Sequence, residues 1–444
     1  MTDTICAIST PAGTGGIAVI RVSGSDALSI VDKVFYGSHK ITEAKGNTIL
    51  FGELRDDKSM PQSEPVDEVL CSVFRAPHSF TGENTVEISC HGSLYIQQAI
   101  VRLLLRHGAR AATAGEFTKR AFLNGKLDLS QAEAVADLIS ASSSAEQRLA
   151  IAHLKGGVSQ QIQQLRERLL TFTSLIELEL DFADHEDISF ADRSELNSLA
   201  EEIDRHLTLL LDSFRLGNAI KNGIPVAIIG PTNAGKSTLL NALSGEDKAI
   251  VSAIPGTTRD AIEDTINING VQFRFIDTAG LRTTSDDIEN IGIQRALSAA
   301  RKAELVIYLQ DITMPEEPLP PLPEGKRVLK VYNKTDLTTE RRKGLCISAA
   351  NGDITGLKDA IYSAAELQTG VQDGAVISSA RHYDALLRAQ QAIKKVKDGL
   401  SAQLSGEILS LDLHDCLNAL GEITGEITNA EVLQNIFSRF CIGK

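Results

Sequence analysis

Near the middle of the chain, Gly230-Pro231-Thr232-Asn233-Ala234-Gly235-Lys236-Ser237 has the residue types and spacing to grip a chain of phosphates. The glycines let backbone N–H groups curl around the anion at a helix N-terminus. Lys236 neutralises the outer phosphates, and the Ser237 hydroxyl is suited to ligate Mg²⁺. Such a loop works only between a buried strand and a helix. The apolar run Val226-Ala227-Ile228-Ile229 precedes it, and Thr238-Leu239-Leu240-Asn241-Ala242-Leu243 follows, so both elements are expected here.

Three further groups follow in the order that a guanine-nucleotide switch needs. Gly256-Thr257-Thr258-Arg259-Asp260 offers the Thr258 hydroxyl to Mg²⁺ beside a γ-phosphate. Asp277-Thr278-Ala279-Gly280 ends a strand-like run, placing a carboxylate near the metal and a glycine N–H near the same phosphate. Asn333-Lys334-Thr335-Asp336 ends another, Val328 to Tyr332, and there the Asp336 carboxylate can accept from N1–H and the 2-amino group of guanine. Adenine has no 2-amino group, and a buried acceptor left unpaired rejects the wrong base by about 10⁴. Ser348-Ala349-Ala350 is where a backbone contact to the base edge falls. The ordered set predicts a GTP-binding domain. Leu281 stands where Ras-like switches carry the glutamine that orients the attacking water, so that role must be filled from elsewhere.

With 444 residues the chain is two or three domains long. A net charge of −14 argues against a broad basic field for nucleic acid, so any RNA must meet a local patch or a partner that supplies the charge. Cys6, Cys71, Cys90, Cys346, Cys416 and Cys441 show no CxxC spacing, and residues 1–20 lack a basic leader, which suits a reduced cytoplasm. No apolar run approaches the ~20 residues needed to span a bilayer.

The elements that must position these groups change in texture along the chain. Residues 1–118 read as α/β, with strands expected at Thr4–Ile8, Gly16–Val22, Glu68–Phe74 and Thr85–Cys90 and a helix near Tyr95–His107. Gly13-Thr14-Gly15-Gly16 lacks the following lysine and helix and reads as a turn. Proline is absent between Pro77 and Pro225, and from about 120 apolar residues take helical spacing, Ile162 to Leu180 and then Leu196 to Phe214. The same spacing returns at Leu386 to Leu404 and Leu409 to Ile423, so 119–221 and 370–444 are expected to form one helical bundle with 222–369 inserted as a Ras-like P-loop domain. The acidic run Asp181 to Asp187 reads as an interhelical loop, and the proline-rich Met314 to Pro323 as an extended surface connection.

With these pieces in place the chain resembles, over its whole length, the TrmE/MnmE family of tRNA-modification GTPases. The phosphate loop carries the resemblance, with Ile254-Pro255-Gly256-Thr257-Thr258-Arg259-Asp260 and Asp277-Thr278-Ala279-Gly280-Leu281-Arg282. So do Ser79 to Asn84, Gly115 to Thr118, Arg120 to Leu129 and the closing Cys441-Ile442-Gly443-Lys444. The GTPase motifs alone also fit a switch in ribosome assembly such as Era or Der, whereas the helical flanks and the terminal block do not. The resemblance implies a multidomain α/β plus all-α protein: an N-terminal folate-binding and dimerising domain, a helical domain and an inserted GTPase domain. It also implies work with a flavin-dependent partner, MnmG (GidA), which carries FAD. Together they would place a carboxymethylaminomethyl or aminomethyl group on C5 of the wobble uridine of tRNA, using 5-formyl- or 5,10-methylene-tetrahydrofolate.

Site residues follow from the same resemblance. Asn233, Ala234, Gly235, Lys236, Ser237, Thr238, Ser252, Thr257, Thr258, Asp277 to Gly280, Asn333, Lys334, Asp336, Ser348 and Ala349 would bind GTP. Ser237 and Thr258 would hold Mg²⁺, while Asn233, Ser252, Ile254 and Thr257 would hold a K⁺ ion standing where an arginine finger puts its charge in other GTPases. Lys236 and Thr258 would stabilise the reacting phosphate, and Glu289 would position the water; spacing alone does not choose Glu289 over Asp286 or Asp287. For Asn233 a hydrogen bond that braces the loop is the plainer alternative. Arg21, Glu87, Lys126 and Lys444 would bind folate, although Arg21 and Glu87 taken by themselves read as surface positions in alternating strands. Cys441 invites a nucleophile reading, with packing of the terminal segment as the other.

Overall fold

The computed structural model describes residues 3–56, 64–181, 193–246, 264–276, 298–323, 326–365, 376–428, 430–438 and 440–443. It divides into two compact units, Met1–Ala136 with Gly421–Lys444, and Asp137–Leu420.

The first unit is built on a seven-stranded sheet in the order β3-β4-β5-β6-β2-β1-β7. The strands are β1 (Ile5–Ile8), β2 (Gly15–Ser23), β3 (Phe35–Gly37), β4 (Thr48–Leu54), β5 (Asp67–Phe74), β6 (Thr85–Gly92) and β7 (Arg110–Ala111). Neighbours run antiparallel except β1 and β7. Val69, Cys71 and Val73 alternate inward from β5, as Ala18, Ile20 and Val22 do from β2. Against them α1 (Ala27–Val34) sets Ile30 and Val31, and α2 (Leu94–Arg106) sets Ile100, Leu103 and Leu104, forming one core.

The four expected strands and the expected helix are all present. Three strands, β3, β4 and the short β7, and helix α1 were not anticipated. Gly37 and Gly52 interrupt the apolar pattern of β3 and β4 because both lie against the Phe35 ring, where an added Cβ would collide with it. Gly13 and Thr14 lie in a loop as expected, but Gly15 and Gly16 open β2. Further along, α3 (Glu116–Leu123), the start of α4 (Leu129–Ser140) and the last helix (Ala430–Phe437) surround a small core of Leu129, Ala132, Phe437 and Phe440.

In the second unit α5 spans Ser144–Leu154, α6 Gly157–Asp181 and α7 Arg193–Asn222. A capping pair starts α5: Ser143 Oγ accepts from Glu146 N–H at 3.2 Å and donates to Glu146 Oε1 at 3.0 Å. The apolar stripes are buried as the spacing predicts: Ile162, Leu165, Leu169, Phe172 and Ile176 on α6, then Leu196, Ile203, Leu207 and Leu210 on α7.

Between α7 and the next long helices lies a six-stranded sheet, β13-β12-β11-β8-β10-β9. Its strands are β8 (Ile224–Ile229), β9 (Asp264–Ile268), β10 (Val271–Phe275), β11 (Leu305–Asp311), β12 (Arg327–Asn333) and β13 (Leu345–Cys346), all parallel to their neighbours except the edge strand β9. Helix α8 (Lys236–Glu246) leaves β8, and α9 (Thr355–Ala364) follows β13.

Helices α10 (Ala380–Ser401) and α11 (Gly406–Thr424) then return to α6 and α7. Phe214 stacks on Tyr383 at 4.4 Å, Lys397 pairs with Asp204 at 2.9 Å, and Arg166 donates to the Leu417 carbonyl at 2.7 Å. Met314–Pro323 is an extended surface connection between β11 and β12, tied down by Tyr308 Oη donating to Pro318 O at 3.0 Å. The acidic run after Asp181 lies outside the described residues.

Candidate nucleotide-binding site

Strand β8 has β10 on one side and β11 on the other, so its carboxyl end is where the sheet order reverses. Ligands of open parallel sheets bind at that point. The phosphate loop begins there. A Cβ on Gly230 would run into the carbonyl of Leu309 on β11, and one on Gly235 (φ +95°) into the side-chain amide of Asn333, so only glycine lets the loop lie this close to its neighbours. Asn233 is exposed in the left-handed region (φ 63°), and its side-chain amide takes no partner among the described residues. Lys236 opens α8 and donates to the carbonyls of Gly230 at 2.9 Å and Pro231 at 2.7 Å, so its ammonium sits inside the loop. Burial pushes its pKa down, since desolvation disfavours the charged form. Ser237 lies half-buried in the same first turn of α8, and Thr238 beside it is exposed.

Asn333 joins the phosphate loop to the other end of the site. Almost wholly buried, it donates through Nδ2 to the Ala234 carbonyl at 2.9 Å and accepts through Oδ1 from Ala349 N–H at 3.0 Å. Ser348 Oγ donates to Asp336 Oδ1 at 2.6 Å, which aims the exposed carboxylate while the backbone turn at Thr335–Leu337 carries it outward. Parallel pairing of Asp311 with Asn333 sets the height of these groups on the sheet. Asn333, Lys334, Asp336, Ser348 and Ala349 are thus gathered with Ala234, Gly235 and Lys236 at the carboxyl ends of β8, β12 and β13. Ser252, Ile254, Thr257, Thr258, Asp277 to Gly280, Leu281 and Glu289 lie outside the described residues.

These residues fit a nucleotide and its metal in the parts described: a loop that only glycine can form, a half-buried ammonium within it, and an oriented carboxylate. What the motifs did not reveal is Asp311, at the end of β11, which pairs with Lys334 at 2.6 Å. Its only signal in the sequence was its place at the end of the apolar run Leu305–Leu309.

In the first unit, the expected folate residues fall into a second group. Arg21 and Glu87 face each other across β2 and β6 and form an ion pair, Nη2 to Oε1 at 2.7 Å and Nε to Oε1 at 2.9 Å. The Arg21 guanidinium lies 5.3 Å from the Phe80 ring centroid and 5.5 Å from that of Phe117, well inside cation–π range. The pair is therefore partly sheltered, at 14% and 29% side-chain exposure, where alternation alone suggested surface positions. Phe80 belongs to a loop held from below: Ser23 Oγ lies 2.7 Å from Thr81 Oγ1 and donates to Glu83 Oε2 at 2.8 Å, and Asn124 donates to Thr81 O at 2.7 Å. Lys126 Nζ donates to Pro77 O at 3.1 Å on the same loop. Lys444 lies outside the described residues. Cys441 is exposed, and the segment around it is docked by the Ala114–Ile442 bridge and by Ser9 Oγ donating to Gly443 O at 3.1 Å. Cys71 and Cys416, by contrast, are buried thiols pushed up to about 12 by desolvation, unsuited to act as thiolates.

A largely parallel sheet with a glycine loop at its switch point is an α/β arrangement that sets the loop where open sheets of this kind bind ligands. Two family models divide the chain between them: "GTP-binding protein TrmE N-terminus" matches residues 4–126 and "MnmE helical domain" residues 129–441. The chain belongs to the tRNA modification GTPase MnmE family. A relative of that name from Parabacteroides distasonis is 50% identical over the full length of both chains. Others from Bacteroides fragilis and Flavobacterium johnsoniae are 49% and 48% identical, with all of this chain and 99% of each relative covered. Among solved structures, a GTP-binding protein from Sulfolobus solfataricus in complex with GDP is 19% identical, covering 46% of this chain and 67% of that one with a TM-score of 0.22, too little to bear on the fold. No described helix is long and apolar enough to cross a membrane.

Proposed function

We propose that the chain is a potassium-activated GTPase that works with a flavin-dependent partner, MnmG, to modify C5 of the wobble uridine of tRNA, using a one-carbon tetrahydrofolate. The observation that carries the GTPase part is the Asn333 side chain, which ties the phosphate loop at Ala234 to the base-edge loop at Ala349. A phosphate grip and a guanine reader are thereby held at a fixed separation. Lys236 binds the outer phosphates, Ser237 and Thr258 hold Mg²⁺, and Asp336 reads the base. Asn233, with Ser252, Ile254 and Thr257, holds K⁺; its exposed position and a side-chain amide that takes no partner among the described residues favour this role over that of a loop brace. When bound, K⁺ would supply the charge that an arginine finger contributes elsewhere, worth about 10³–10⁵ in rate. Glu289 positions the attacking water. In the first unit Arg21, Glu87, Lys126 and Lys444 hold the folate, which is supported by the paired, aromatic-flanked placement of Arg21 and Glu87. The protein acts as a homodimer in the cytoplasm, and FAD resides on the partner.

The base-reading role has a direct test. Asp336→Asn exchanges an acceptor for a donor, which suits the C2 carbonyl of xanthine and leaves the 2-amino group of guanine unpaired. Turnover measured with GTP and XTP should reverse its preference in that variant, with GTP losing at least ~10²-fold. Unchanged preference for GTP would remove Asp336 from recognition.

A further inference from the structure

Lys334 occupies an unusual position within the guanine motif. Its backbone is left-handed (φ 67°), a conformation that costs a non-glycine residue and survives where neighbours dictate it. Here Asn333 is fixed on one side by Ala234 and Ala349, and the turn at Thr335–Leu337 follows on the other. The side chain reaches β11, where Nζ meets Asp311 Oδ2 at 2.6 Å.

The carboxylate it meets is itself fixed. Thr313 donates to Asp311 Oδ1 twice, through N–H at 2.9 Å and Oγ1 at 2.7 Å. The Ile312 N–H bonds to the Asn333 carbonyl at 3.0 Å, which locks the ends of β11 and β12 together. Asp311 is 11% exposed and Lys334 31%, so the pair is partly withdrawn from solvent. Burial by itself would raise the Asp311 carboxyl, but the bonds from Lys334 and Thr313 outweigh it and hold the pKa below its ordinary value.

We propose that Asp311 is a positioning residue for nucleotide binding, holding the Lys334 side chain in the orientation in which it meets the guanine nucleotide. This rests on the reading of Asn333–Asp336 as the base-binding motif. A lysine left free samples many rotamers, and ordering them on binding weakens affinity; a lysine already held at its far end presents an ordered stem and ammonium. The plainer role for the pair, a brace at the end of β11, makes a different prediction, since a brace acts on stability and has no need of Lys334 to influence the nucleotide.

The experiment is a double-mutant cycle on the full chain, with Asp311→Asn, Lys334→Met and their combination. The readouts are the Kd for N-methylanthraniloyl-GDP and Tm from differential scanning fluorimetry. Asp311→Asn is expected to raise Kd about tenfold, and to raise it less than twofold more when Lys334 is already Met, a coupling of about 1–1.4 kcal/mol. Should Asp311→Asn fail to fold, Thr313→Val removes one anchor of the carboxylate and should raise Kd about threefold only while Lys334 is present. Additive effects in the cycle, or a Kd within twofold of wild type for Asp311→Asn, would overturn the proposal. If wild type itself does not bind the probe, the nucleotide-site reading falls and this one with it. Wild-type binding with an uncoupled cycle rejects only the role of Asp311.

Discussion

Glu116 shows how one buried carboxylate can be held charged. Burial would raise its pKa, yet Arg110 Nη2 at 2.6 Å, Thr113 N–H at 2.8 Å and Arg120 Nη2 at 3.1 Å bring it down from 4.5 to about 2. Arg120, at 1% exposure, shares itself between Glu116, Glu83 and Asp3. Because the folded pKa lies below the unfolded one, Glu116 adds stability above pH 4.5 that is lost as pH falls toward about 2. The Tm advantage of wild type over Glu116→Gln should therefore shrink across that window in thermal melts of the full chain. A constant difference would place its stabilising role elsewhere. None of this network was visible in the sequence, where Glu83, Glu116 and Arg120 stood only within blocks shared with a family. Side-chain partnership across 37 positions, as between Arg120 and Glu83, leaves no local pattern.

At the scale of elements, periodicity disclosed the long helices but not where they touch. The stripes on α6, α7, α10 and α11 were legible because each helix buries one face, whereas the strands β3 and β4 were hidden by the glycines that their packing on Phe35 requires. The contact points are marked by glycines too. On α7, a Cβ at Gly217 would collide with the Ile377 carbonyl, while on α9 a Cβ at Gly356 meets nothing closer than Leu345 Cδ1 at 3.6 Å. Gly217→Ala should accordingly destabilise the second unit by about 1–3 kcal/mol through overpacking. Gly356→Ala should leave it unchanged or more stable by up to ~1 kcal/mol, from helix propensity. Urea unfolding of the two variants decides the matter, and equal effects would mean that the approach of residue 377 to α7 is not a tight contact.

For the whole molecule, the texture of the sequence sets boundaries at 118 and 370, while the compact units divide at 136 and 421. An amphipathic stripe announces that a helix has a partner without naming it. The last helix, Ala430–Phe437, finds its partner in Leu129 and Ala132, far from it in the chain. The phosphate loop and the Asn333–Asp336 motif could be proposed from the sequence because phosphate and guanine chemistry fixes both residue type and order. The hub made by Asn333 and the ion pair between Asp311 and Lys334 could not, since they depend on which strands are neighbours. The central claim concerns how a site with Leu281 in place of a glutamine turns GTP over. Steady-state GTP hydrolysis by the purified chain, in KCl and in NaCl at equal concentration, tests it most directly. The account predicts strong stimulation by potassium that is abolished in Asn233→Ala. Equal rates in the two salts, or potassium stimulation that survives in Asn233→Ala, would contradict it.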